Sequence, residues 1–288
     1  MKVAGFTFIR NAVRYDYPVV ESITSLLPLV DELIVCVGDS SDDTLGLIEN
    51  IGSPKIKIIH SVWDDSLREG GKILAVETNK ALAAVANDAD WCFYLQGDEV
   101  LHEVDYDAIR NGMLRYKDDL KVEGLLFNYR HFYGSYQYVG NSRKWYRHEI
   151  RIVRNNIGVY SYKDAQGFRI DNRKLNVKSI NAFIYHYGWV KNPNQQTEKQ
   201  KNFHKLWHSD ETVKSMVQAD EYDYNAIDSL ALFDGVHPPV MKNRIAKMDW
   251  DFQFDVSKVK TKLKYRILNF LEKVTGHRFF EYKNYRKI

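Results

Sequence analysis

The 288-residue sequence has only two cysteines, Cys36 and Cys92, and each lies within a short apolar run. Two thiols are too few for the disulfide framework of a small secreted domain, and burial in a strand explains both. The sequence also lacks any apolar run near the roughly 18 residues of a membrane span. Its first apolar stretch, ended by Arg10, is short for a signal peptide and is followed by no small-residue cleavage site. These absences predict a cytoplasmic protein.

The motifs that most directly identify a reaction are absent as well. There is no His-Glu-x-x-His helix, no zinc-type spacing of Cys and His, no Walker phosphate loop and no Gly-x-Ser-x-Gly elbow. Residues 68–72, REGGK, contain two glycines without the G-x-G-x-x-G spacing. Arg68, Lys72 and the backbone amides of a helix start could still face a phosphate there.

Apolar runs and helical patterns alternate in the first hundred residues. The runs cover 3–9, 33–37, 56–60 and 91–95, and the helical patterns between them cover 20–30, 42–52 and 70–86. This alternation predicts right-handed βαβ units and a mainly parallel sheet flanked by helices. In such a sheet the ligand crevice lies outside the carboxyl ends of the strands.

The pattern changes after residue 120. Segments 124–140, 148–154 and 181–187 alternate apolar and polar residues and contain many aromatics, which predicts mixed or antiparallel strands. Residues 192–208 and 258–274 show helical patterns. We expect one folded unit whose second part differs in topology from the first.

Polar residues directly follow two of the predicted parallel strands. GDSSDD, residues 38–43, follows the second strand, and QGDE, residues 96–99, follows the fourth. Both should therefore lie at the same edge of the sheet. Asp42, Asp43 or Thr44 could simply cap the next helix, whereas Asp39 could accept hydrogen bonds from the base or ribose of a nucleotide.

The pair Asp98 and Glu99 allows two interpretations. Such a pair in a turn is commonly solvated. A hard cation such as Mg²⁺ or Mn²⁺, however, takes one or two carboxylates and completes its shell with substrate phosphates. His186 is either a structural histidine in an apolar strand or a metal ligand, if the fold brings it to Asp98.

Four segments, in this order and spacing, resemble the glycosyltransferase family 2 proteins of the GT-A fold over roughly residues 1–200. They are KVAGFTFIRNA, DELIVCVGDSSDDT, REGGKILAVETNKAL and WCFYLQGDEVL. The resemblance implies an α/β fold with a GT-A-like, Rossmann-type mixed sheet that is mainly parallel. It implies a nucleotide-sugar-binding half over 1–120, an acceptor-side and metal-completing half over 121–192, and a C-terminal helical extension with a basic tail over 193–288.

The resemblance also implies roles for individual residues. Asp98 would be the main metal ligand, supported by Glu99 and completed by His186, while Gln96 stands where the family has the first Asp of its Asp-x-Asp motif. The residues implied at the nucleotide sugar are Phe8, Arg10, Asn11, Asp39, Arg68, Lys72, Asn79, Gln96 and Gly97. Asp164, in YKDAQGFR, resembles the position of the catalytic carboxylate of inverting members, with Glu149 and Asp171 as rivals.

The implied reaction is an inverting, metal-dependent transfer of a hexose from a nucleoside diphosphate sugar, in the first place a UDP-sugar. Mn²⁺ or Mg²⁺ would assist, and the acceptor would be a saccharide or lipid-linked saccharide, as in cell-surface polysaccharide or glycolipid synthesis. The aromatic segment 127–146 could stack on acceptor rings or simply fill a core. Two alternatives stay open: a nucleotidyltransferase of related fold, and a non-catalytic nucleotide- or sugar-binding protein whose metal motif degenerated at Gln96.

The charge is distributed unevenly along the chain. The net charge is +3, yet residues 257–288 contain ten Lys or Arg and two Glu. No recognition motif accompanies this basic tail, which argues against nucleic acid as a partner. The tail helix, with Leu263, Ile267, Leu268 and Leu271 as an apolar stripe, either packs on the body or lies on an anionic membrane surface.

Overall fold

The computed structural model describes residues 1–67, 70–216 and 221–288. The strands are β1 Val3–Ile9, β2 Glu32–Gly38, β3 Ile56–Ser61, β4 Trp91–Tyr94, β5 Glu99–Leu101, β6 Gly124–Tyr133, β7 Ser135–Gly140, β8 His148–Arg154, β9 Tyr160–Tyr162, β10 Gly167–Ile170, β11 Arg173–Lys174, β12 Asn176–Trp189, β13 Leu230–Leu232 and β14 Arg286–Lys287. The helices are α1 Val19–Leu26, α2 Thr44–Glu49, α3 Lys72–Ala83, α4 Tyr106–Tyr116, α5 Pro193–Lys205, α6 Asp210–Met216, α7 Lys242–Ala246 and α8 Leu263–Thr275.

The first half of the sheet is parallel, in the order β3-β2-β1-β4. Every residue of β2 and β4 is buried, because both faces of the sheet are covered. Alternate residues therefore enter different cores: Leu33 and Val35 join one cluster, Ile34 and Cys36 the other. This confirms the predicted α/β class with a Rossmann-type mixed sheet, and it explains the two buried thiols.

The second half of the sheet is mixed, as the change of pattern after residue 120 indicated. β8 pairs antiparallel with both β4 and β6. The long strand β12 runs parallel to β6 and antiparallel to β5, and its register sets His186 opposite Glu99 on one side and His131 on the other. The fold thus brings His186 to the end of the QGDE segment.

The C-terminal extension contains the helices α5 to α8, as predicted, and two short strands besides. β13 pairs with β7 and β14 pairs with β12, so the chain after residue 192 returns twice to the main sheet. These strands have three and two residues, too few for a periodic pattern. The boundaries at residues 120 and 192 stay a prediction.

The last helix, α8, does not pack on the body through its predicted apolar stripe, which was one of its two expected arrangements. Leu268 is its buried residue, whereas Leu263, Ile267 and Leu271 of the predicted stripe are exposed. The stripe therefore does not pack on the body. In the part of the chain that the structure describes, no helix combines the length and apolar character needed to cross a membrane.

Candidate active site

A cavity of about 800 Å³ opens at the carboxyl ends of the parallel strands, a size typical of small-molecule sites. It collects side chains that are far apart in sequence. The predicted site residues that line it are Phe8, Arg10, Asn11, Asp39, Gln96, Gly97, Asp98, Asp164 and His186. The two polar segments after β2 and β4 thus meet at one edge of the sheet, as the topology predicted.

One side of the cavity is built around Arg10 and Trp63. The Arg10 guanidinium lies 5.3 Å from the Trp63 ring centroid, and Phe8 packs against the same ring at 5.9 Å. Arg10 also donates to Asp39 Oδ2 at 3.3 Å, while the Trp63 backbone N–H donates to Asp39 Oδ1 at 3.2 Å. Asp39 therefore orients a cation and an aromatic ring beside the cavity.

The remaining residues of GDSSDD connect the loops after β1 and β2. Asn11 has a left-handed backbone, with φ of 54°, and its Oδ1 accepts from the Ser41 N–H at 2.8 Å. Asp42 accepts from the N–H groups of Arg14 at 2.7 Å and Thr44 at 3.1 Å. Asp42 thus fixes the loop and the start of α2, in line with the capping interpretation. Asp43, at the N-cap position, makes no side-chain capping bond.

Asp98 lies at the centre of a charged cluster. Its Oδ2 is 3.4 Å from Lys199 Nζ on α5 and 3.6 Å from His186 Nε2. Lys199 also donates to the Gly188 carbonyl at 2.8 Å and lies 4.9 Å from the Tyr17 ring centroid. Burial alone would raise the pKa of Asp98, but Lys199 and His186 hold it below its ordinary value. Asp98 is therefore an ionised carboxylate facing the cavity.

A chain of hydrogen bonds fixes the protonation of the histidines behind Asp98. His131 Nε2 lies 2.8 Å from the Tyr146 carbonyl, which can only accept, so this nitrogen carries a proton. Burial, and then His186, lower the pKa of His131 to about 3, so its Nδ1 is an acceptor for the Nδ1–H of His186 at 3.1 Å. With the Nδ1 proton of His186 directed at His131, the Nε2 of His186 faces Asp98. A proton on Nε2 lowers the pKa of Asp98, and a bound cation would take the place of that proton.

The chemistry of this pair fits a divalent cation. A carboxylate oxygen and an imidazole nitrogen converge, and a histidine ligand held through its other nitrogen is the usual arrangement in metal sites. Gly188 leaves the space: a Cβ there would lie 2.7 Å from His186 Nε2 and in contact with Asp98 Oδ2. Among the described residues no group of three His, Cys, Asp or Glu side chains converges. A cation here would take its remaining ligands from water and substrate phosphates.

Glu99 has a different environment from the adjacent Asp98. It is fully buried and receives two hydrogen bonds of 2.8 Å from Arg151, one of 2.7 Å from the Tyr129 hydroxyl and one of 3.1 Å from the Gln96 N–H. It does not line the cavity. A metal-ligand role for Glu99 stays a prediction, and it would require these bonds to break.

Asp164 lines the cavity in the loop between β9 and β10. Its neighbours Lys163 and Ala165 both have left-handed backbones, with φ of 55° and 61°. Such conformations are costly for residues other than glycine and concentrate at functional sites. Gly71, at the start of α3, allows close approach, because a Cβ there would lie 3.0 Å from Asp164 Cβ. Burial raises the pKa of Asp164.

The two rival carboxylates lie elsewhere. Glu149 is buried behind the cavity, and its Oε2 makes no hydrogen bond with the described residues. Burial raises its pKa to about 8. Asp171 is exposed in the turn between β10 and β11. Of the three candidates, Asp164 is the one that lines the cavity.

Two further predicted nucleotide contacts, Lys72 and Asn79, do not line the cavity. Lys72 is exposed at the start of α3 and does not line it. Asn79 exchanges hydrogen bonds of 2.7 and 3.2 Å with the backbone of Ser161, which ties α3 to the hairpin that carries Asp164. Arg68 lies outside the described residues. Asn79 thus positions a site loop.

Aromatic side chains form part of the cavity wall. Trp145 and Tyr146 from the segment 127–146 line the cavity, whereas Phe127, Phe132 and Tyr138 fill the cores. Core packing therefore explains part of that segment, and stacking on acceptor rings stays a prediction for Trp145 and Tyr146. Flat aromatic faces beside polar groups suit the apolar faces of sugar rings.

Sequence reasoning missed several residues that line the cavity. Trp63, Lys199 and Trp207 were not predicted. Lys199 lies thirteen positions after His186, on the first turns of α5. The one available signal is that a basic residue lies on the helix directly after the strand that carries His186. Together, the fold and cavity define an α/β protein whose crevice suits an anionic ligand that carries rings.

Comparisons with known proteins give structural similarity without a family. No protein-family model and no curated protein matches the sequence. Similar solved structures include S. aureus TarS in complex with UDP, with 12% identity over 75% of this chain and 70% of that chain and a TM-score of 0.41. Another is 4-diphosphocytidyl-2C-methyl-D-erythritol synthase from Anaerococcus prevotii, with 11% identity, coverages of 66% and 89%, and a TM-score of 0.39.

A third similar structure is Mycobacterium tuberculosis glucosyl-3-phosphoglycerate synthase in complex with Mn²⁺, UDP and glucosyl-3-phosphoglycerate. It has 19% identity over 45% of this chain and 44% of that chain, with a TM-score of 0.32. At these values the similarity places this chain in no family.

Proposed function

We propose that this protein transfers a glycosyl group from a nucleoside diphosphate sugar to an acceptor hydroxyl, with inversion. The observation that carries the proposal is the convergence, in one cavity, of the cluster Asp98, His186 and Lys199 with Arg10 beside Trp63 and with the buried Asp164. The cavity therefore contains groups suited to bind a diphosphate, to bind a nucleoside and to accept a proton from an attacking hydroxyl.

Arg10, Trp63 and Asp39 would bind the nucleoside diphosphate. The Trp63 ring offers a stacking face, and Asp39 can accept hydrogen bonds from a base or ribose hydroxyl. Lys199 faces the position where charge develops when the bond from the anomeric carbon to the diphosphate breaks. Fixed cations in a partly buried site stabilise such a leaving group, because they need no reorganisation during the reaction.

Asp98 and His186 would hold Mn²⁺ or Mg²⁺. When bound, the ion would supply further positive charge to the diphosphate. His131 accepts the Nδ1 proton of His186, which would leave Nε2 of His186 for the ion, and Gly188 keeps the space between the two ligands open. Lys199 stays within reach of the same carboxylate, so the chain's own ammonium group and the ion would share the charge of the leaving group.

Asp164 would act as the general base. It accepts the proton of the acceptor hydroxyl while that oxygen forms a bond to the anomeric carbon and the diphosphate departs from the opposite side. A pKa raised by burial favours proton uptake by a carboxylate. Trp145 and Tyr146 would hold the acceptor, a saccharide or lipid-linked saccharide of polysaccharide or glycolipid synthesis. The donor we expect first is a UDP-hexose.

Calorimetry and a donor screen test this proposal. We expect UDP to bind more tightly with Mn²⁺ than with EDTA, and Asp98→Asn and Gly188→Ala to abolish that difference while UDP still binds without metal. Nucleotide sugars would then be scored by released nucleoside diphosphate, with saccharide acceptors present and absent. Failure of UDP, GDP and TDP to bind would overturn the proposal. Binding with no transfer in any pair would favour a non-catalytic binding protein.

A further inference from the structure

The helix α8 exposes a continuous apolar stripe. Leu263, Ile267, Phe270 and Val274 follow one another at steps of three and four residues, so they share one face. Their exposures are 69%, 53%, 65% and 67%, and Leu271 extends the stripe at its edge. Single exposed apolar residues are ordinary, but a contiguous patch on a fixed helix marks an interaction surface.

The opposite side of α8 attaches the helix to the body. Leu268 is buried there, and Glu272 accepts hydrogen bonds from Arg143 at 2.6 Å and from Arg147 at 3.0 Å. At 100° per residue, Glu272 lies nearly opposite Val274 and Ile267. The outward orientation of the stripe is therefore fixed by ion pairs and packing on the other face.

Cations border the stripe on both sides. Lys264 lies along one edge, and Arg266 and Lys273 lie along the other. All three are exposed, and so is Lys262 at the N-cap. None of these four makes an ion pair within the described part of the chain. An apolar face bordered by cations is the pattern of helices that lie in the plane of a membrane interface.

We propose that α8 is a docking surface for an anionic lipid bilayer. The stripe enters the boundary between headgroups and acyl chains, and Lys264, Arg266 and Lys273 meet anionic headgroups. The cations beside the stripe argue against a second copy of the chain as the partner that covers it. A symmetric contact of stripe on stripe would bring these cations against the same cations, while Glu272 is already paired.

The attachment of α8 connects this surface to the cavity. Arg143 and Arg147, which hold Glu272, belong to the same loop between β7 and β8 as Trp145 and Tyr146, which line the cavity. Arg278, beyond α8, also donates to the Trp145 carbonyl at 3.3 Å. This connection, which rests on the proposed function, implies that a lipid-linked acceptor reaches Trp145 and Tyr146 from the bilayer. The docking itself does not depend on that function.

Vesicle flotation with the full chain tests the docking. We expect binding to phosphatidylcholine vesicles that contain phosphatidylglycerol, weak binding to pure phosphatidylcholine vesicles, and weakening by salt. Lys264→Gln and Lys273→Gln should each lower the affinity about fivefold. Ile267→Ser/Phe270→Ser should abolish flotation, because it removes the apolar part of the contact from residues that already face water.

The matched control is Leu120→Ser/Lys121→Gln. It changes an exposed leucine, at 78%, and an exposed lysine on another part of the body, so flotation should be unchanged. Equal loss with this control, or equal binding to both vesicle types, would overturn the proposal. A dimer in lipid-free buffer that Phe270→Ser converts to a monomer would also overturn it. Calorimetry with UDP on the same variants reports on the cavity separately, so failure of one proposal is distinguishable from failure of the other.

Discussion

Replacing Arg151 by Met should destabilise the protein strongly, although Arg151 lies beneath the cavity rather than in it. Both Arg151 and Glu99 have fully buried side chains, joined by two hydrogen bonds of 2.8 Å. Burial alone would lower the pKa of Arg151, but Glu99 raises it well above the ordinary value. The variant leaves the Glu99 carboxylate buried without its cation, which typically costs about 3–5 kcal/mol. At about 2 °C per kcal/mol for a chain of this size, the melting temperature should fall by roughly 6–10 °C.

The matched control is Arg173→Met. Scanning calorimetry and urea unfolding would measure the stability of both variants. Arg173 also donates two hydrogen bonds to one carboxylate, that of Glu123, at 2.8 and 2.6 Å, but its side chain is 49% exposed. Loss of such a surface pair should cost about 1 kcal/mol or less. The double variant Arg151→Met/Glu99→Gln should recover part of the stability lost in Arg151→Met. Equal losses in the two single variants, or no recovery in the double variant, would refute the reasoning from burial.

Three further predictions concern the cavity and its surroundings. Asp164→Asn should lower kcat about a hundredfold to ten-thousandfold and leave the affinity for UDP unchanged. Asp171→Asn, in an exposed turn, should leave kcat unchanged. Equal losses of kcat in the two variants would show that Asp164 is not the base. Lys199→Met should weaken UDP binding in EDTA more than Lys201→Met does, because Lys201 does not line the cavity. An unchanged affinity of Lys199→Met for UDP in calorimetry would contradict a phosphate-facing role of Lys199. Glu149 binds a proton in the folded state up to a pKa of about 8, against 4.5 when unperturbed, so its contribution to stability is full below 4.5 and is lost as the pH rises through 8. Glu149→Gln should therefore flatten the fall in urea-unfolding free energy between about pH 5 and pH 8, and an unchanged slope would assign that fall to other groups.

The parallel half of the sheet was predictable because local pattern and tertiary position agree there. The apolar runs are buried on both faces, so each strand is a nearly continuous hydrophobic segment bounded by helices. The topological rule then places the ends of β2 and β4 together, which is why Asp39 and Asp98 were found from the pattern. Arg10 was implied only by the family resemblance. No comparable rule places β13, β14 or Lys199, since their positions depend on long-range contacts of a chain segment without a strong period.

Asp98 and Glu99 show where sequence reasoning reaches its limit. Both are acids in one segment, and both were predicted as ligands of a cation, with Asp98 as the main one. Asp98 lies in the turn before β5 and lines the cavity, however, whereas Glu99, the first residue of β5, is buried in the core. A carboxylate in the core is tolerable only with a full set of donors, and the chain supplies Arg151, Tyr129 and the Gln96 N–H from β8, β6 and the loop itself. Because the Gln96 N–H is one of those donors, the buried pair also fixes the backbone that presents Asp98. The two adjacent acids therefore differ in position: Asp98 presents its carboxylate to the cavity, and Glu99 fixes the backbone of the loop that carries Asp98.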